Sequence, residues 1–311
     1  MQLIAPGSVL LTRIPKAELK RGMFVEAVEC PDAVFGRRRF VLKSDSDFSA
    51  ILKSPAEFVL INTVFGAGSA RQAAAKLGSS NPLSLAEASD TVKRSVKVLK
   101  AELITLVTGG GLDMENIAPV VEEIARAEPA KSSLYFQVSR LKQKDEITFQ
   151  HSLSVGTLMG TLGEAMDLDM ETVELLVLSG MLHDVGKLTI SNDILQKQGP
   201  LTAEERKVIR SHPRRGHQIL QKYTSLPAEV LEICLHHHEA IDGSGYPLRI
   251  SGSQIGMLVR ISTVCDVFDA LTSVRPYKKS WTTTDALKWM FARDHLFDRK
   301  LVLRLGGSID A

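Results

Sequence analysis

Imidazoles and carboxylates recur through the middle of this 311-residue chain at spacings that suit a metal centre. His151 stands alone. His183-Asp184 lies inside LHDVGK, His212 follows, then the run His236-His237-His238-Glu239, and last Asp266 inside an apolar VCDVFDALT segment. Imidazole and carboxylate together are the ligand set of a redox-capable or Lewis-acidic first-row metal. One such histidine reads as a satisfied core residue. Six of them with paired aspartates, on helical segments, do not read as core packing.

His183-Asp184 is the centre of the pattern. Neighbours on a helix project roughly 100° apart, so both reach one ion only where the helix end points at it, and Gly186 suggests that end. A carboxylate has two oxygens, so Asp184 can bridge two ions while His183 binds one. The consecutive histidines 236–238 sweep about 200° of helix surface, so one of them is a bystander, and position alone does not say which. The following AIDGSGYP is turn chemistry that permits close backbone approach to a ligand. Asp266 sits among apolar neighbours, where a carboxylate is costly unless paired or metal-bound. Asp269, one turn later, suits a partner to a ligand or a cap. Two ions about 3.5–4 Å apart suit hydrolysis of a phosphodiester by activating a bridging water and offsetting the charge on phosphorus. Lys187, Arg275 and Lys278 are then candidates for phosphate contacts.

The elements that must position these residues are mainly helical. From residue 86 onward apolar spacing predicts helices, the first over 86–108 with Val92, Val96, Leu99, Leu103 and Leu106 on one face. Asp113 caps the next, Thr202 with Glu205 forms a capping box, and Pro227 opens another helix. Residues 1–66 read as a small β-rich domain with strands near Phe24–Val28, Arg39–Leu42 and Phe58–Ile61. A Gly/Ala/Ser-rich linker occupies 67–85, connecting helices 86–144, and the metal-binding domain 145–311. A formal net charge of +2 argues against nucleic acid or a membrane surface as partner. The cysteines Cys30, Cys234 and Cys265 form no CxxC and read as reduced thiols. No stretch has the length to span a bilayer, and MQLIAPGSVLLTRIPK lacks the marks of a signal peptide, so the expected location is the cytoplasm.

LLHD-x-GK is written here as MLHDVGK. With the later His212-Pro213, the HHEAIDGSGYP segment and DVFDALTSVRPYK, it resembles the HD-GYP family of HD phosphohydrolases over roughly residues 145–300. The resemblance implies an all-helical HD-type bundle with a centre of two divalent metal ions of iron or manganese type. It also implies hydrolysis of cyclic di-GMP to the linear dinucleotide pGpG or on to GMP. His151, His183, Asp184 and Asp266 match the ligands shared with simpler HD proteins, with Asp184 the bridge. His212, His237 and His238 match the added ligands of the second ion, which makes His236 the bystander. Lys187, Arg275 and Lys278 match substrate-phosphate contacts, and Gly243, Gly245, Tyr246 and Pro247 match the signature loop. The implied mechanism is in-line attack by a metal-bridging hydroxide, one ion stabilising the leaving 3′-oxygen. Residues 12–66 are similar to the small domain of unknown function found before such domains, which adds a regulatory expectation. A protein partner through the signature loop or N-terminal domain, and a homodimer, are further candidates. The rivals are hydrolysis of another cyclic dinucleotide such as cyclic GMP-AMP, and a catalytically silent scaffold, against which the intact ligand set argues.

Two departures stand out. The chain stops at LVLRLGGSIDA, where members of that family commonly continue, with no ligand lost. Some members carry a Glu four residues before the first ligand histidine, supporting a third ion. That position, one turn away on the same helical face, is Ile147 here, and Glu146 points about 100° away. A third cation beside two others needs an extra anionic ligand, so elemental analysis after anaerobic purification should give about two metals per chain. A reproducible third equivalent would overturn this expectation.

Overall fold

The computed structural model describes residues 11–21, 23–29, 40–42, 44–54, 56, 58–62, 85–140, 146–273 and 280–309. The expected linker lies outside these residues apart from Leu85, as does Cys30. The chain divides into two compact units, Met1–Pro82 with Gly306–Ala311, and Leu83–Leu305.

The N-terminal unit holds four short strands, β1 Leu11–Pro15, β2 Phe24–Glu29, β3 Phe40–Val41 and β4 Phe58–Asn62. They pair antiparallel in the order β1-β4-β2-β3, with an irregularity between Val25 and Ala27 that shifts the register. A β-rich domain was the expectation, and it needs correction, because the unit also carries a helix, α1 Asp45–Lys53. Ser44 caps it by accepting from Asp47 N at 3.1 Å, and Asp45 and Asp47 lie in its first turn, where the helix dipole favours negative charge. Its Ile51 joins Ile14, Leu19, Val25, Leu42, Val59 and Ile61 in one small core.

The described elements of the larger unit are helices joined by turns and loops. It begins with α2 Leu85–Val107, α3 Met114–Ala125, α4 Pro129–Ser139, α5 Ile147–Ala165 and α6 Met170–Leu182. Short helices follow, α7 Asn192–Leu195, α8 Ala203–Ile209, α9 His212–Leu220 and α10 Ala228–His236. The unit continues with α11 Met257–Thr272 and α12 Thr283–Phe291, and α13 Arg299–Ile309 starts within it. Caps fix the starts. Asp113 accepts from Glu115 N, Asp169 accepts from Thr172 N, and Thr202 and Glu205 close a reciprocal capping box. Pro129 is the first residue of α4, where its missing N–H costs nothing. The stripe Val92, Val96, Leu99, Leu103 and Leu106 of α2 packs into one core with Ile117, Ile124, Leu153, Val177, Met181 and Val230.

Helices α5 and α6 pack closely. A Cβ added at Gly180 would lie 2.5 Å from the Cα of Gly156, so the helices cross backbone to backbone. This approach sets the spacing between His151 on α5 and His183 at the end of α6, whose ring centroids are 5.3 Å apart. Gly180→Ala should force the helices apart, lowering stability by about 1–3 kcal/mol, the usual cost of overpacking. Denaturant unfolding checks this, and an unchanged midpoint would show that the crossing tolerates a methyl group.

Candidate metal centre

Five chain segments converge on one buried point. α5 brings His151, the end of α6 brings His183, and Asp184 follows it at the head of a 3-10 turn, Val185–Thr189. The first residue of α9 is His212, the end of α10 delivers His237 and His238, and α11 presents Asp266. Gly186 makes the join possible. A Cβ there would sit 2.0 Å from the His212 carbonyl oxygen, so only glycine lets the turn after Asp184 lie against α9. The side chains fall into two groups, Asp184 with His212, His237 and His238, and His151 with His183 and Asp266; the donor atoms of each lie within 4.8 Å of one another. His236 and His217 belong to neither group, nor does Cys265.

Asp184 faces both groups. Its Oδ2 is 3.3 Å from His151 Nε2 and 3.4 Å from His183 Nε2, while its Oδ1 is 3.1 Å from His212 Nε2 and 3.7 Å from His237 Nε2. The imidazole tautomers follow from what their other nitrogens touch. His183 Nδ1 donates to Gly180 O at 2.7 Å, His212 Nδ1 to Ile209 O at 2.7 Å, and His237 Nδ1 to Cys234 O at 2.9 Å. A carbonyl only accepts, so each Nδ1 carries the proton and each Nε2 presents a lone pair inward. His212 Nε2 and His237 Nε2 are then 3.1 Å apart, lone pair toward lone pair. Burial pushes the His237 pKa down to about 4, so no proton relieves that contact at neutral pH. Among the described residues, buried His183 Nε2 and Asp184 Oδ1 have no hydrogen-bond partner. Such a set of donors is repulsive by itself and attractive around a cation, which is the arrangement a divalent metal fits.

The charges agree. Burial works against ionised Asp184, but the groups around it, the Lys187 ammonium first, hold the carboxyl well below the usual carboxylate range. Burial likewise opposes ionised Asp266, and its histidine neighbours His151 and His238 outweigh it. Lys187 Nζ donates to Asp184 Oδ2 at 2.5 Å from a half-buried position at the edge of the site. His151 is held from behind. Its Nδ1 donates to Asp269 Oδ2 at 2.7 Å, and Asp269 Oδ1 also accepts from Ser154 at 2.5 Å and Ser273 at 3.0 Å. Sequence spacing had left Asp269 as partner or cap, and the geometry makes it the partner. Ser154, one turn after His151, was the missed residue, and its i+3 spacing was the signal.

The signature loop packs on the second group. The Tyr246 ring stacks on His238, centroids 4.6 Å apart at 27°, and the Arg210 guanidinium lies over the Tyr246 ring, 4.4 Å from its centroid. Glu239, which sequence reading grouped with the histidines, serves the loop instead. Its buried Oε1 accepts from Leu248 N at 2.6 Å and Arg249 N at 3.1 Å. At Gly245 a Cβ would meet Ala240 N at 2.4 Å, so the loop folds flat against the residues after the histidines. Gly243 turns with φ +79, and Pro247 ends the loop. Arg275 and Lys278 lie outside the described residues.

Comparison with known proteins fits this architecture. A family model described as HD domain matches residues 133–301, and one described as domain of unknown function (DUF3391) matches residues 11–144. The cyclic di-GMP phosphodiesterase PA4108 of Pseudomonas aeruginosa is 33% identical over 307 residues, covering 93% of this chain and 74% of that protein. The 3'3'-cGAMP-specific phosphodiesterase 1 of Vibrio cholerae is 34% identical over 172 residues, 55% of this chain and 40% of that protein. In fold, Bd1817, a HDG"Y"P protein from Bdellovibrio bacteriovorus, matches with a TM-score of 0.54 at 14% identity, covering 97% of this chain and 100% of that one. The chain belongs to the HD domain family, on its HD-GYP branch.

Groups that orient a ligand histidine typically contribute about 10–100-fold in metal affinity. Asp269→Asn, which keeps shape but removes the charge behind His151, should weaken metal binding by about that factor without unfolding the chain. Competitive titration with a chromogenic chelator measures it, and unchanged affinity would show that Asp269 does not support the centre.

Proposed function

We propose that this protein hydrolyses cyclic di-GMP with two divalent metal ions of iron or manganese type, in bacterial signalling in the cytoplasm. The observation that carries the reading is the position of Asp184, one oxygen toward each ligand group. His151, His183 and Asp266 would hold one ion, His212, His237 and His238 the other, and Asp184 would serve both. When bound, the ions supply a water of lowered pKa as nucleophile and neutralise phosphate charge.

The chain's own residues do the rest. The buried carboxylates stay ionised and the His237 ring neutral, so the donors are ready at neutral pH without a proton to displace. The Lys187 ammonium, half-buried beside Asp184, can turn to a phosphate oxygen of the substrate. Arg275 and Lys278 are assigned the same task on the strength of the sequence motif. No helix among the described residues is long and apolar enough to cross a membrane, and Cys234 and Cys265 are free thiols, which suits a reducing compartment. The N-terminal domain expected over 1–66 is proposed as regulatory, and a protein partner or a second copy as what it or the signature loop engages.

A second substrate has a specific observation behind it: over its shorter matched stretch, 55% of this chain, the relative named for 3'3'-cGAMP is 34% identical, against 33% over 93% of this chain for the relative named for cyclic di-GMP. Anaerobically prepared protein should therefore be given cyclic di-GMP and cyclic GMP-AMP side by side, with products resolved by chromatography. Faster turnover of cyclic di-GMP is expected, and faster turnover of the mixed dinucleotide would reassign the substrate. Asp184→Asn should abolish turnover and lower metal content, since a neutral amide cannot hold two cations together. Wild-type turnover in that variant would remove the basis of the proposal.

A further inference from the structure

Beside the centre, on the outer side of Tyr246, lies an open groove of about 620 Å³. Its walls carry Arg206 and Lys207 from α8, Arg210, Arg214 from α9, and Arg249 beyond the signature loop. Among the described residues no carboxylate lines it. None of the five cations has an ion-pair partner among the described residues; Arg214 reaches only the Pro247 carbonyl at 3.4 Å, and Arg210 lies over Tyr246. Like charges one helical turn apart, as at Arg206 and Arg210, repel each other. Five unpaired cations around one concavity are the signature of an anion site, and its volume falls in the range of small-ligand pockets.

We infer that this groove binds the second phosphate, with its nucleotide, of a substrate that carries two phosphodiesters. The inference rests on the proposed function and adds to it a specificity-determining surface. His212 and His237 are fully buried, whereas His238 and Lys187 are the partly exposed members of the site. A phosphodiester at the centre therefore enters on the His238 side, where Tyr246 stacks. The remainder of a cyclic dinucleotide is too large for the buried centre, and the groove is the basic surface that continues from Tyr246. Arg210 and Tyr246 form the step between the two, a guanidinium on a ring on a ligand imidazole. Guanidinium groups bind phosphate oxygens in paired hydrogen bonds, which suits this arginine-rich lining.

The test compares the full-length, metal-loaded protein with the variant Arg206→Gln/Lys207→Gln/Arg214→Gln, and with Arg206→Lys/Arg214→Lys as the charge-keeping control. Two substrates are used: cyclic di-GMP, and bis(p-nitrophenyl) phosphate, which has one diester and no second phosphate. The glutamine variant should raise KM for cyclic di-GMP at least tenfold, and kcat/KM for cyclic di-GMP relative to the small diester should fall by the same factor. The lysine variant should recover most of the loss. Loss on both substrates in equal measure, or on neither, would overturn the inference. Equilibrium dialysis of cyclic di-GMP against the same proteins reads the groove independently of turnover. If the wild type binds cyclic di-GMP and the glutamine variant binds it at least tenfold more weakly, the groove stands even where hydrolysis fails. Equal binding by the two proteins, or none by the wild type, overturns it. Absence of wild-type turnover on every cyclic dinucleotide would instead count against the proposed function.

Discussion

The centre depends on where three imidazole protons are parked. His183, His212 and His237 each give the Nδ1 proton to a backbone carbonyl within their own chain segment, Gly180, Ile209 and Cys234 respectively. The bonds are local, three residues back in each case, so the helix or turn that delivers the histidine also fixes its tautomer. What is left is a buried set of lone pairs and carboxylate oxygens, 3.1 Å apart at the closest, that repel one another. Removing buried polar groups from water without partners costs several kcal/mol, by order of magnitude. Under the proposed function, cations would offset this cost by taking the same atoms as ligands.

Two features keep the donors from relaxing away from each other. Gly180 and Gly156 lock α5 onto α6, and Gly186 lets the turn after Asp184 press on the His212 carbonyl. Asp269, with Ser154 and Ser273, holds His151 from behind, and Arg140 on the Thr272 carbonyl places positive charge near that carboxylate. The signature loop then closes on the second group, pinned by Glu239 through two backbone amides. Tyr246, on the outer side of that group, is half-buried.

Much of this was legible in the sequence because the ligands are chemically distinctive and sit at helix ends that caps and glycines announce. His183-Asp184 before Gly186, and the histidine run at the end of the helix opened by Pro227, could be placed before any coordinates. The two helix-start signals at Asp113 and Thr202 likewise correspond to observed caps. Other features were hidden for physical reasons. Helix α1 is nine residues of mostly polar sequence, too short for an apolar period to declare itself. Glu239 follows the candidate ligands His237 and His238, and only the folded loop reveals that its Oε1 is taken by Leu248 and Arg249. The groove cations carry no signal in the sequence, because α8 ends between Arg206 and Arg210 and the spacing does not say that the break keeps them on one side.

The central claim is that Asp184 serves two metal ions held by inward-facing Nε2 atoms. Anomalous diffraction from crystals of the manganese-loaded protein tests it most directly. The account predicts two peaks, one beside each oxygen of Asp184, with His183, His212 and His237 all presenting Nε2. A single peak, no peak among these residues, or imidazoles turned to present Nδ1 would contradict it.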